Sequence, residues 1–102
     1  MNKLTIGVIG AGRIGKLHVA NIKQYFPSIH IKLIADPYPD KTWLKNNPAL
    51  NSTQNIEEIF ADKEIDAVLI CSPAQQHVPQ IIAAARTGKH IFCEKPIATD
   101  VA

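Results

Sequence analysis

Three glycines, Gly10, Gly12 and Gly15, stand in the spacing Gly-x-Gly-x-x-Gly directly after the apolar run Ile6-Gly7-Val8-Ile9. Glycines so spaced let a backbone approach phosphate. The first permits a sharp exit from a strand, the second brings main chain close to a pyrophosphate, and the third lets the next helix pack tightly on the sheet. That helix would then aim unpaired amides and the positive end of its dipole at the phosphates. Alone the pattern is weak, since loosely spaced glycines arise by chance. It needs a strand before it, a helix after it and an acidic residue further on.

Asp36 is that acidic residue. It ends a second apolar run, Ile29-His30-Ile31-Lys32-Leu33-Ile34-Ala35, and lies about 20 residues beyond the last glycine, where a carboxylate reaches the hydroxyls of an adenosine ribose. A carboxylate there repels a 2′-phosphate, and Pro37 rather than a basic residue follows it. The expected cofactor is therefore NAD in preference to NADP. The competing reading is local: Asp36-Pro37 as plain turn chemistry. Arg13, at a helix start, opposes the dipole and calls for an anionic partner. Tyr38 and Trp43, in the turn-rich segment that follows, are candidates either to flank an adenine or to pack on the surface.

The elements that must position these residues alternate along the chain. A helix is expected from Arg13 to about Tyr25, stopping before Pro27. Prolines 37, 39 and 48 break the next segment, leaving room for a short helix over 41–46 and a short strand over 50–52. Asn55 with Glu58 resembles a capping box ahead of the apolar stripe Ile56, Ile59 and Phe60. Ala67-Val68-Leu69-Ile70-Cys71 is a continuous apolar run, as in a strand covered on both faces. Val78, Ile81, Ile82 and Ala85 recur at helical spacing, with Pro79 in the first turn and Gly88 at the end. His90-Ile91-Phe92-Cys93 closes the series as a fifth strand. Such alternation predicts an α/β fold: a Rossmann-type doubly wound parallel sheet in the order 3-2-1-4-5, with ligand across the carboxyl ends of the first and fourth strands. No repeat or linker divides residues 1–102, which read as one dinucleotide-binding domain.

Composition excludes several classes. A net charge of +2 with 20% charged residues provides no basic field for nucleic acid. No apolar stretch has the length of a membrane span, and the N-terminus has no signal-peptide pattern. A cytoplasmic location is the default expectation. Cys71 and Cys93 each end a strand-like run and are expected to be reduced, although neighbouring strands would bring them near one another. No metal-ligand spacing is evident.

A second constellation narrows the reading. Ser72-Pro73, His77, Gly88-Lys89-His90 and Phe92-Cys93-Glu94-Lys95-Pro96, together with the glycine loop and His18, resemble the Gfo/Idh/MocA family of NAD(P)-dependent oxidoreductases, in particular its inositol 2-dehydrogenase-like members. Glu-Lys-Pro after a fifth strand is far more specific than the glycines. The resemblance implies an enzyme that moves hydride between nicotinamide and a hydroxyl-bearing carbon of a sugar or cyclitol. It also implies that Gly10, Gly12, Arg13, Ile14 and Gly15 form the pyrophosphate side of the site and that Asp36 takes the ribose. Ser72, Pro73 and His77 would lie beside the dinucleotide, and Glu94 near the nicotinamide ribose. Lys95 would be the catalytic ammonium, also touching the cofactor, and would stabilise a developing alkoxide. Pro96 would fix the turn that aims it. The residue-level alternatives are a solvated surface lysine at 95 and a plain helix-entry residue at 77.

The departure from the family is length. Its members continue through a further helix, a sixth strand and a C-terminal substrate domain that supplies acid/base residues. The chain is thus expected to be the N-terminal part of a two-domain enzyme and inactive by itself, since a positioned general base is missing. It is also expected to associate into a homo-oligomer through a sheet edge left uncovered. The alternative is a stand-alone NAD-binding or sensing module, for which a lysine at the hydride-transfer position would have no use.

Overall fold

The structure, a computed structural model, describes residues 4–93. Glu94, Lys95 and Pro96 lie outside them. Five strands form one parallel sheet: β1 (Leu4–Ile9), β2 (Ile29–Ala35), β3 (Ser52–Thr53), β4 (Ala67–Ile70) and β5 (His90–Cys93). Their order is β3-β2-β1-β4-β5, as the alternating sequence predicts. The helices α1 (Arg13–Tyr25), α2 (Lys41–Lys45), α3 (Glu57–Ala61) and α4 (His77–Arg86) connect them, with a 3-10 turn over Ala74–Gln76 before α4.

Side chains of a strand alternate between faces, and the core divides accordingly. Ile6, Val8, Ile34 and Ala67 pack with Val19 of α1 and Trp43 of α2 on one face. Ile9, Ala35, Val68 and Ile70 pack with Ile59 and Phe60 of α3 and Ala84 of α4 on the other. Helices on both faces explain why β4 reads as unbroken apolar sequence. Gly7 belongs to this packing as well. A Cβ there would lie 2.9 Å from Cγ2 of Ile59, so its absence lets α3 sit close to β1.

Local details depart from the sequence reading in four places. The third strand is Ser52–Thr53 rather than residues 50–52, because the Leu50 amide is taken by the Asn47 carbonyl in a turn, while Ser52 and Thr53 pair with Ile34 and Ala35. The capping box is relayed: Asn55 N–H donates to Thr53 Oγ1 at 3.1 Å, and the Thr53 hydroxyl in turn donates to the Glu58 carboxylate. On α4 the buried positions are His77, Gln80 and Ala84, whereas Val78 and Ile82 are exposed; the stripe is turned toward the end of β4, which offers polar groups. Finally, Cys93 pairs in register with Ile70. Alternation therefore sends Cys71 to the opposite face, and the two remain thiols.

Lys89 carries a charge into the interior. It is only 7% exposed, and its Nζ donates to the carbonyls of Asp62 at 2.6 Å and Ile65 at 2.9 Å. A cation at the C-terminal end of α3 complements the helix dipole, and it ties the start of β5 to the turn that leads into β4. Nearby, Lys32 of β2 reaches Asp62 at 2.6 Å and Glu64 at 2.5 Å. Those partners raise the Lys32 pKa above its ordinary value, and Lys32, aided by the Glu64 amide, lowers that of Asp62.

Candidate functional site

β1 ends at Ile9, and the chain must turn at once into α1. Gly10 makes that turn with φ +91, a left-handed conformation that side chains rarely adopt. It is also pressed against the end of β4: a Cβ would stand 2.7 Å from the Ser72 amide nitrogen and 2.8 Å from the Cys71 carbonyl carbon. Gly15, buried one turn into α1, faces back on this loop, and a Cβ on it would run into the Gly10 carbonyl oxygen. Gly12 differs. Nothing lies within 4 Å of where its Cβ would be. The fold itself demands Gly10 and Gly15, whereas the bare face of Gly12 opens onto a cleft.

That cleft has a volume of about 820 Å³ and is bordered by Gly10, Gly12, Arg13, Ile14, Asp36, Ser72 and Pro73, within the usual range for small-molecule sites. It lies across the carboxyl ends of β1, β2 and β4, the crevice where open α/β sheets take ligands. Gly12 is the N-cap of α1, with no side-chain cap bond and no acidic residue in the first turn. The leading amides of a helix have no intrahelical acceptor, so this end of α1 is suited to an anion.

Asp36 connects two parts of the site. Its Oδ2 accepts from the Ala11 amide at 2.8 Å and its Oδ1 from the Tyr38 amide at 2.8 Å. The second bond is the local turn chemistry that Asp36-Pro37 suggests; the first spans the glycine loop. Carboxylate oxygens carry further lone pairs, so the group can still accept from ribose hydroxyls.

At the end of β4, Ser72 and Gln80 are both buried, and the Ser72 hydroxyl donates to Gln80 Oε1. His77 is 2% exposed and does not border the cleft. Its Nε2–H donates to the Ser72 carbonyl at 2.6 Å, which fixes that nitrogen as the protonated one, since a carbonyl can only accept. His77 thus holds the loop from behind and, like Gly15, does not border the cleft. Trp43 is packed against the α1-side core rather than facing the cleft, whereas Tyr38, 87% exposed, stands on its rim. Gln76, Gln80, Lys16 and Asp40 also border the cleft; no local pattern marks them in sequence. Among the described residues no cluster of His, Cys, Asp or Glu could hold a metal ion, and no helix is long and apolar enough to cross a membrane.

Comparison with known proteins settles the kinship. Residues 4–102 match the model of the Gfo/Idh/MocA oxidoreductase family, NAD-binding Rossmann fold. The chain belongs to the Gfo/Idh/MocA family. It is 43% identical over 98 residues to the oxidoreductase YrbE of Bacillus subtilis, an alignment covering 94% of this chain and 28% of that protein. It is 37% identical over 101 residues to the myo-inositol 2-dehydrogenase of Thermotoga maritima, covering 97% and 30% respectively. The crystal structure of scyllo-inositol dehydrogenase from Lactobacillus casei with bound NAD(H) and scyllo-inositol superimposes with a TM-score of 0.85 at 33% identity, covering 96% of this chain and 29% of that one. The chain therefore spans less than a third of the length of these Gfo/Idh/MocA relatives.

Proposed function

We propose that this chain is the dinucleotide-binding part of an NAD-dependent oxidoreductase acting on a CH–OH carbon of a cyclitol or sugar. NAD would supply the hydride acceptor. The observation that carries the reading is the glycine loop: Gly10 and Gly15 are required by packing, while Gly12 is bare toward a cleft that Asp36 also borders. A dinucleotide fits that arrangement, with pyrophosphate at the N-terminal end of α1 and adenosine ribose at Asp36. The relatives that bear inositol dehydrogenase names support the substrate class.

In this reading the amides of Gly12, Arg13 and Ile14 bind the pyrophosphate, and the Arg13 guanidinium offsets its charge. Asp36 accepts from the ribose hydroxyls. Ser72 and Pro73 form the wall beside the nicotinamide half, kept in place by His77 and Gln80. Glu94 and Lys95, which follow β5 in the sequence, are assigned to the nicotinamide ribose and to the reacting hydroxyl. The Lys95 ammonium would stabilise alkoxide character as hydride leaves the carbon. Acid/base residues from elsewhere in the enzyme would complete the proton transfer.

We also assign it a homo-oligomeric assembly. Ile91 and Cys93 pack beneath α4, but Phe92 points to the other face of β5 and is 57% exposed. No described element covers it. Sedimentation at rising concentration should show association that Phe92→Glu abolishes; a monomer at all concentrations would refute the assignment.

The functional reading is tested by calorimetric titration with NAD and NADP separately. Binding of NAD with weaker binding of NADP is expected. Equal affinity for the two would remove the ribose assignment, and no binding of either would remove the function.

A further inference from the structure

Lys16 stands in the first turn of α1, and Asp40 caps α2 from 24 positions away. Lys16 Nζ lies 2.6 Å from Asp40 Oδ2. The other Asp40 oxygen accepts from the Trp43 amide at 3.0 Å, and the same ammonium lies 5.7 Å from the centre of the Trp43 ring. Lys16, with help from that amide, holds the Asp40 carboxyl below the usual carboxylate range. The charge on Lys16 is therefore matched by Asp40.

The pair also has a place in the site. Both residues border the large cleft together with Asp36 and Tyr38, and Asp36 and Asp40 share the border of a smaller hollow against Trp43. Arg13 and Lys16 are the two cations among the described residues that line the cleft. Arg13 adjoins Gly12 and the pyrophosphate position. Lys16, joined to Asp40, is the cation on the Asp36 side. A 2′-phosphate on an adenosine ribose needs such a cation, and a lysine on its flexible stem would swing to it readily. An exposed ion pair contributes little to stability, so the pair matters chiefly for the charge it leaves in the cleft.

We propose that Asp40 is a second selectivity residue, which occupies Lys16 and so denies a 2′-phosphate one of the two cations that, among the described residues, line the cleft. Asp36 repels that phosphate directly; Asp40 removes the countercharge. The inference rests on the NAD reading above.

The test is calorimetric titration of the 102-residue chain with NAD and NADP in four forms: unaltered, Asp40→Asn, Asp40→Ser, and Asp40→Asn with Lys16→Gln. Asn and Ser both keep an oxygen to cap α2, so failure of one to fold leaves the other to decide. The ratio of NADP to NAD affinity should rise about tenfold in each single variant, the scale of one charged hydrogen bond gained. It should fall back in the double variant. An unmoved ratio in the single variants overturns the role of Asp40 and leaves the NAD preference standing. A rise that persists without Lys16 overturns it as well. Equal binding of NAD and NADP by the unaltered chain overturns both this inference and the reading beneath it.

Discussion

The Asp36 carboxylate accepts a hydrogen bond from the Ala11 amide at 2.8 Å, so the residue that ends β2 also holds the glycine loop that ends β1. In the proposed function, selection of the ribose and shaping of the glycine loop would thus depend on one side chain. Asp36→Ala leaves two amides without their acceptor and should lower unfolding free energy by about 1 to 3 kcal/mol, besides erasing the preference for NAD. Asp36→Asn keeps one acceptor oxygen and should lose the preference at a smaller cost in stability. Denaturant unfolding checks the first effect. An Asp36→Ala protein as stable as the original contradicts the loop-holding role.

The three glycines should separate folding from binding. Gly12→Ala points its methyl into open space and should change stability by no more than about 0.5 kcal/mol, as at other unencumbered surface positions. NAD binding should nonetheless weaken severely. Gly10→Ala combines a left-handed backbone with a clash against the end of β4 and should cost about 2 kcal/mol or more. Thermal unfolding alongside NAD titration distinguishes the two; a destabilised Gly12→Ala protein that still binds NAD would reverse the assignment.

Stability should depend on pH through Lys32 and Asp62. The Asp62 pKa is lowered in the folded chain, chiefly by its bond to Lys32. Its contribution is present above the ordinary value of 3.8 and fades as pH falls through the lower folded value. The Lys32 pKa is raised, chiefly by Asp62. That contribution is complete below 10.5 and is lost as pH rises through the higher folded value. Unfolding midpoints should therefore decline at both extremes, and Lys32→Gln should flatten both limbs. A variant with the same acid and alkaline limbs would show that the pair does not act on stability.

The parts legible in the sequence are those with a local period or spacing. The glycine loop, the Arg13–Tyr25 helix, the apolar run of β4 and Asp36 at a strand end are each signalled by their own neighbouring residues. The strand order follows from alternation and right-handed crossovers. What stayed hidden involves partners far apart in the chain. The Asp36 bond to Ala11 and the Lys16–Asp40 pair join separate βα units, and nothing near either residue signals the partner. His77 and Gln80 illustrate the same limit. A polar residue at a helix start reads as exposed or functional until the Ser72 loop that it supports is brought against it. Lys89, between Gly88 and His90, is buried on two carbonyls that lie more than 20 positions away in the chain, and no local spacing signals them.

The measurement that bears most directly on the central claim is an amide NMR titration of the chain with NAD. The account predicts that the amides of Ala11, Gly12, Arg13 and Ile14, with those of Tyr38, Ser72 and Gln76, shift together and saturate at one concentration. A second cavity of about 470 Å³, bordered by Ala61, Thr87, Gly88 and Lys89, serves as an internal control and should be silent. Shifts confined to that second cavity, or a glycine loop that NAD leaves unmoved, would contradict the account.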